Sequence, residues 1–141
     1  MKAERIEGWT ELLADWVHTV RDRPFRWGEW DCVLAAADCA HAITGANPLG
    51  GLMWADVKGA LRQLEVMGGL EAATTSLLGE PIPPAFAQRG DVVLVHNQGV
   101  EKAEREIIAV CLGECACAPM STGLAFIDMR HAITAWKVGR G

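Results

Sequence analysis

A loop runs directly into a segment that begins with a cysteine and is apolar or small almost all round. The loop is residues 25–31 (FRWGEWD) and the segment is residues 32–44 (CVLAAADCAHAIT). Asp31 is a natural N-cap for a helix over this segment, and Gly45 is a natural C-terminal stop. A helix that is apolar on every side is usually central rather than on a surface. We therefore predict a domain built around the helix of residues 32–44.

The first part of the chain predicts further helices. Residues 10–21 have the amphipathic period of a helix, with Thr10 as its N-cap, and residues 54–67 repeat that pattern. Residues 70–78 predict a short third helix of this kind. Three prolines then break the chain: Pro81, Pro83 and Pro84.

The second part of the chain has the period of strands. We expect strands near residues 91–96, 106–112, 115–118, 124–127 and 131–138. Helices first and antiparallel strands second are typical of an α+β fold, in which a helical half packs on a small sheet. The length and the absence of a linker indicate a single domain over residues 1–141.

The composition argues against two classes of partner. Half of the 141 residues are apolar, 22% are charged, and the net charge is -5. No basic cluster suggests nucleic-acid binding, and no apolar run approaches the ~20 residues of a membrane span. The N-terminus lacks the apolar core of a signal peptide, so we expect synthesis in the cytoplasm.

The five cysteines are odd in number and lack the spacing of a secreted disulfide framework, which indicates reduced thiols. Cys111, Cys115 and Cys117 offer three potential metal ligands. Their spacing fits no common zinc or iron–sulfur template, and a turn at Gly113 separates Cys111 from the other two. Buried strand thiols are the preferred interpretation, so we predict no metal and no other cofactor.

The chemistry that the sequence suggests is centred on Cys32. A thiol at a helix N-terminus faces unpaired backbone N–H groups and the positive end of the helix dipole, which both favour the thiolate. A cysteine hydrolase would present its nucleophile in this way. The other interpretation is that Cys32 is a small buried hydrophobe. Asp31 either caps the helix or tunes the thiol, and its negative charge would oppose thiolate formation.

Five short motifs follow one another along the chain. They are Trp27-Gly28-Glu29-Trp30-Asp31-Cys32, Thr44-Gly45, Gly68-Gly69, Gly90-Asp91-Val92-Val93 and Ala135-Trp136-Lys137-Val138. Together they resemble the papain-like cell-wall peptidases of the NlpC type, and more closely the small phage and prophage tail-associated proteins of that clan. The resemblance spans roughly residues 25–138.

The resemblance implies a papain-like α+β fold in which the helix cysteine faces the sheet, and peptidoglycan as the substrate of active members. In those members a histidine at the start of the second strand is the general base, and a polar residue on the third strand orients it. Here Ile107 stands at the histidine position, and residues 117–119 offer no orienting group. An unassisted Cys32 would be a poor catalyst, because positioned acid–base transfer contributes on the order of 10²–10⁴-fold.

His96 is the best candidate for a displaced base, because it ends the first strand close to residues 106–107. The alternative for His96 is a solvated side chain at a strand end. Trp27 and Trp30 flank the cysteine loop. Three roles fit them: they line a cleft, they anchor a protein contact, or they pack the loop on the first helix.

Two functions therefore compete. The first is a degenerate peptidase that acts as a structural subunit of a phage-type tail tip and binds other tail or baseplate proteins. Its location would be the virion tail, after assembly in the host cytoplasm. The second is an active peptidoglycan cysteine peptidase that uses Cys32 with His96. The missing histidine favours the first function.

Overall fold

The computed structural model describes residues 3–50, 68–96 and 106–140. Within these ranges the chain has an α+β fold, in which three helices lie against one face of a five-stranded antiparallel sheet. The helix predicted for residues 54–67 falls outside the described residues.

The helices are α1 (Trp9–Val20), α2 (Cys32–Thr44) and α3 (Leu70–Leu78). α2 begins and ends where the sequence predicts. Asp31 caps its first turn, and Gly45 ends it in a left-handed conformation with a φ of 79°. The predicted cap of α1 is wrong. Gly8, not Thr10, precedes this helix, in a left-handed conformation and without a side-chain cap. No helix among the described residues is long and apolar enough to cross a membrane.

The strands are β1 (Val92–His96), β2 (Glu106–Cys111), β3 (Cys115–Met120), β4 (Gly123–Asp128) and β5 (Ala132–Trp136). They lie in the order β4-β3-β2-β1-β5, and every neighbouring pair is antiparallel. Short 3₁₀ turns cover Pro84–Phe86 and Met129–His131. The five predicted strands are therefore present, with ends that differ by a few residues.

Both faces of the sheet are buried. The side chains that face the helices include Leu94, Ile108 and Cys117, which pack with residues of α1 and α2. The alternating positions, such as Val95 and Ile107, form a second cluster on the opposite face. Burial on both faces explains why the strands are continuous apolar runs instead of alternating ones.

A buried carboxylate fixes both ends of the described chain to the start of β1. Asp91 is 0% exposed and accepts hydrogen bonds from Arg5 Nη2 at 2.8 Å and from Arg140 Nη2 at 2.6 Å. It also accepts the backbone N–H groups of Val138 at 3.0 Å and Gln88 at 2.9 Å. Charged groups are this deeply buried only when they are paired and hydrogen-bonded.

Candidate functional site

The loop before α2 is closed by backbone and capping hydrogen bonds. Arg26 and Trp30 exchange two backbone bonds, of 3.0 and 2.7 Å, around a turn in which Gly28 has a φ of 77°. The carboxylate of Asp31 accepts the N–H of Leu34 at 2.9 Å and that of Gly28 at 3.2 Å. Burial raises the pKa of Asp31, and these N–H groups partly oppose that rise. Asp31 therefore fixes both the loop and the first turn of α2.

Replacing Asp31 with alanine is expected to destabilise the protein by about 1–2 kcal/mol, because both N–H groups lose their acceptor. Asp31→Asn is the matched control, since its amide oxygen still caps the helix, and it should cost less than the alanine variant. Urea unfolding followed by circular dichroism measures the difference. Equal losses in the two variants would contradict the capping role.

The cysteine that opens α2 faces the sheet. Cys32 packs against the buried clusters on both faces of the sheet. Its thiol also lies close to the backbone of Ile108 in β2, close enough for that N–H to lower its pKa. The thiol therefore sits at an opening in the sheet, next to the first residues of β2.

A proline explains this opening. β2 and β3 pair only near their turn, and the last pair joins Val110 with Cys117. The alternation of an antiparallel ladder makes Ile108 and Pro119 the next hydrogen-bonded pair. Proline has no N–H to donate, so the ladder stops there. What proline removes is the bond to the carbonyl of Ile108; the N–H of Ile108 also faces β3, and Cys32 lies close to it.

Cys32 is partly buried, and loss of solvent around its thiol opposes its activation. Desolvation raises the pKa of Cys32 to about 11, the neighbouring charge of Asp31 raises it further, and the N–H of Ile108 lowers it in part. Desolvation disfavours the charged form of an acid. At neutral pH the sulfur is therefore a thiol, and the activation expected from the helix N-terminus is outweighed.

The raised pKa predicts that Cys32 makes the fold sensitive to alkali. A thiol in the unfolded chain titrates near pH 8.5, whereas in the folded chain the pKa of Cys32 is about 11. The folded state holds the proton more tightly. Its stability contribution is therefore complete below about pH 8.5 and is lost as the pH rises toward 11. Urea unfolding at pH 7 and at about pH 10 should show a smaller loss for Cys32→Ala than for the wild type. An equal loss in both proteins would contradict this.

His96 lies at the end of β1. His96 ends β1 opposite Glu106, and its position in the strand places it on the helix-facing side with Leu94. β2 lies between β1 and the opening that holds Cys32. In the part of the chain that the structure describes, no hydrogen bond or ion pair links the two side chains. His18 and His41 are exposed, and His131 lies in the 3₁₀ turn before β5.

Ile107 occupies the position that the resemblance gives to the base. It pairs with Val95, is 7% exposed, and belongs to the cluster on the face opposite the helices, against which Cys32 also packs. The position that the resemblance gives to the base thus holds a buried apolar side chain.

The two tryptophans of the loop differ in exposure. Trp27 is 41% exposed and stands edge-on to Phe25, with ring centroids 5.0 Å apart. Trp30 is 2% exposed, packs on Trp16, and carries the guanidinium of Arg23 over its ring at 4.3 Å. Trp27 is therefore available to a partner or ligand, whereas Trp30 packs the loop on α1.

The cysteines of the sheet are divided between its two faces. Cys117 lies on the helix-facing side and Cys111 on the other, and all five cysteines are free thiols. Burial raises the pKa of Cys117 to about 12. Across residues 3–50, 68–96 and 106–140, no three acidic, histidine or cysteine side chains cluster as metal ligands would.

Two features of the site were not predicted from the sequence: the N–H of Ile108 near Cys32, and Pro119 at the end of the β2–β3 ladder. A proline inside a predicted strand is the signal that would have located the end of the β2–β3 ladder. The backbone donor could not have been found without the register of the strands.

The sequence profile of one protein family matches residues 4–138. That family is described as a domain of unknown function, DUF6950. The matched range contains the cysteine loop, the three helices and all five strands. No curated protein matches the chain.

Proposed function

The chain belongs to the DUF6950 family, and from its site we propose that it is a degenerate papain-like domain of the NlpC type, serving as a structural subunit of a phage-type tail tip. The observation that carries this proposal is the environment of Cys32. The thiol is partly buried beside the backbone of Ile108, between the apolar clusters of the two sheet faces, and the position of the expected base holds Ile107.

The chemistry supports the loss of activity. A cysteine nucleophile needs an adjacent base or a lowered pKa, and the pKa of Cys32 is raised to about 11. Within the described residues no histidine is hydrogen-bonded to the thiol. The cysteine, the Asp31 cap and the closed loop therefore persist as packing elements. Such a domain contributes its surface rather than a reaction.

The surface offers apolar side chains for tail or baseplate neighbours. Trp27 projects from the cysteine loop beside Phe25. Tryptophan is enriched among the residues that dominate protein interfaces. The other large exposed apolar side chains of the described residues are Ile6, Phe86, Phe126 and Ile133.

The alternative is an active peptidoglycan cysteine peptidase that uses Cys32 with His96. The observation in its favour is the position of Cys32 at the N-terminus of a 13-residue helix that faces the start of β2. This mechanism requires His96 to reach across β2 to the thiol.

Two measurements test the proposal. Purified peptidoglycan incubated with the wild type and with Cys32→Ala should release no new peptide termini in either case. Cleavage by the wild type that Cys32→Ala abolishes would establish the peptidase instead. A density map of the assembled particle should show this chain at the tail tip, with Trp27 in contact with a neighbouring subunit. Particles that lack the chain would contradict the structural role.

Trp27→Ala should reduce incorporation into particles, because it removes the exposed ring from the proposed contact. Glu29→Gln, on the same loop, is the matched control and should leave incorporation unchanged. Its carboxylate makes only an exposed ion pair with Arg26, of 3.6 Å, and such pairs contribute little.

A further inference from the structure

The loop between α1 and α2 holds one arginine whose charge is not paired within the described chain. Arg21 forms an ion pair with Asp22 at 3.7 Å, and Arg26 forms one with Glu29 at 3.6 Å. Arg23 is exposed, and its guanidinium has no acidic partner among the described residues. Arg23 therefore carries the positive charge of this loop that the protein itself does not neutralise.

This charge is held in a fixed position, although it is exposed. The guanidinium of Arg23 lies over the ring of Trp30, 4.3 Å from the ring centroid. Trp30 is itself 2% exposed and packs on Trp16 of α1, with ring centroids 6.2 Å apart. An arginine that stacks on an aromatic ring still directs the N–H groups of its planar fork toward an anion. Because the side chain is already ordered, binding through it costs less conformational entropy.

An exposed aromatic side chain lies on the same loop. Trp27 follows Arg23 by four residues and stands edge-on to Phe25, whose N–H donates to the carbonyl of Met120 at 2.8 Å. These contacts orient Trp27, while 41% of it remains exposed. Tryptophan and arginine are both enriched among the residues that dominate protein interfaces. The loop thus presents a ring and a cation that are both oriented before any partner binds.

The surrounding charge indicates the kind of partner. An arginine fork binds carboxylates and phosphates through the same two parallel hydrogen bonds. A nucleic-acid backbone is neutralised by several basic side chains at once. Here the chain has a net charge of -5, and the two arginines that flank Arg23 are already paired. A single carboxylate of a protein needs only the one free cation that the loop offers.

We propose that the neighbouring protein that contacts Trp27 presents a carboxylate to Arg23 and an apolar pocket to the Trp27 ring. The two side chains then form one contact, in which the ring contributes buried apolar area and the ion pair selects the partner. This inference rests on the proposed function, since it describes the partner of the same loop.

A competition for places in the particle tests the inference. Wild type and Arg23→Glu are produced together in one host, and mass spectrometry of the purified particles gives their ratio. The variant should be depleted at least about tenfold, because it sets two negative charges against each other. Arg23→Lys keeps the charge but lacks the planar fork, so it should be depleted less. Thermal unfolding of both variants checks that the fold is retained.

Arg89→Glu is the matched control, because it makes the same change of charge elsewhere. Arg89 is exposed and also lacks an acidic partner in the described part of the chain. Its side chain lies close to Gly113, just before β3, whereas the loop contacts Met120 at the end of β3. This variant should compete equally with the wild type.

A charge exchange identifies the partner group. A photoreactive phenylalanine analogue in place of Glu29 links the loop to its neighbour, and mass spectrometry locates the linked segment. Replacing an acidic residue of that segment with arginine should restore the incorporation of Arg23→Glu. Equal competition by folded Arg23→Glu and Arg23→Lys, a linked segment without an acidic residue, or a failed rescue overturns the inference and leaves the structural role of the chain in place. Particles that lack the wild-type chain overturn both.

Discussion

Asp91→Ala is expected to destabilise the protein by about 3–5 kcal/mol, a large part of the 5–15 kcal/mol that holds a typical domain folded. The carboxylate is fully buried and accepts hydrogen bonds from two arginines and two backbone N–H groups. Without it, the guanidinium of Arg5, whose side chain is only 7% exposed, keeps its charge and loses its counterion, although its bonds to the carbonyls of Val138 and Arg89 remain. Chemical unfolding followed by circular dichroism measures the loss.

The matched control is Glu29→Gln, which removes a carboxylate from an exposed ion pair with Arg26. Its effect should stay within about 0.5 kcal/mol, because solvent screens exposed pairs. If Asp91→Ala cost no more than this control, the buried ion cluster would not be what holds the two ends of the described chain on β1.

Ile107→His is expected to raise the rate at which Cys32 reacts with iodoacetamide at pH 7 by about 10²-fold. Ile107 lies in the buried cluster against which Cys32 packs, so we expect an imidazole at position 107 to come close to the sulfur. A neighbouring imidazolium lowers the pKa of a thiol, and a positioned base of this kind contributes 10²–10⁴-fold in enzymes. Mass spectrometry of the labelled peptides measures the rate at each cysteine.

The control for this gain is Ile133→His, which places the same side chain on β5, two strands away from β2 in the sheet. It should leave the labelling of Cys32 unchanged. Thermal unfolding must show that Ile107→His remains folded, because a buried imidazole is costly. A folded Ile107→His protein with unchanged reactivity would mean that position 107 is not the place of a lost base.

Local signals in the sequence predicted the elements well. Asp31 and Gly45 mark the ends of α2 because a cap and a left-handed stop are properties of single residues. The cap of α1 was wrong because the sequence analysis favoured a polar side chain at Thr10, whereas the chain turns at Gly8. The five strands follow from the change of hydrophobic period after the prolines.

Features that depend on strand register could not be predicted from the sequence. Asp91 lies 86 residues from Arg5 and 49 from Arg140 along the chain, so no local pattern links these three side chains. The place of His96 relative to Cys32 likewise depends on which strand neighbours β2 on each side. Strand pairing sets both, and it is decided by the packing of the whole sheet.

The most direct test of the account is the reactivity of Cys32 in the native protein. Iodoacetamide at pH 7 should modify Cys32 at least about 100-fold more slowly in the folded chain than in the same chain in denaturant. A pKa near 11 in place of 8.5 lowers the thiolate fraction by about that factor or more. Rapid modification of Cys32 alone in the folded protein would contradict the account, because it would show an activated thiolate where we describe a partly buried, protonated thiol.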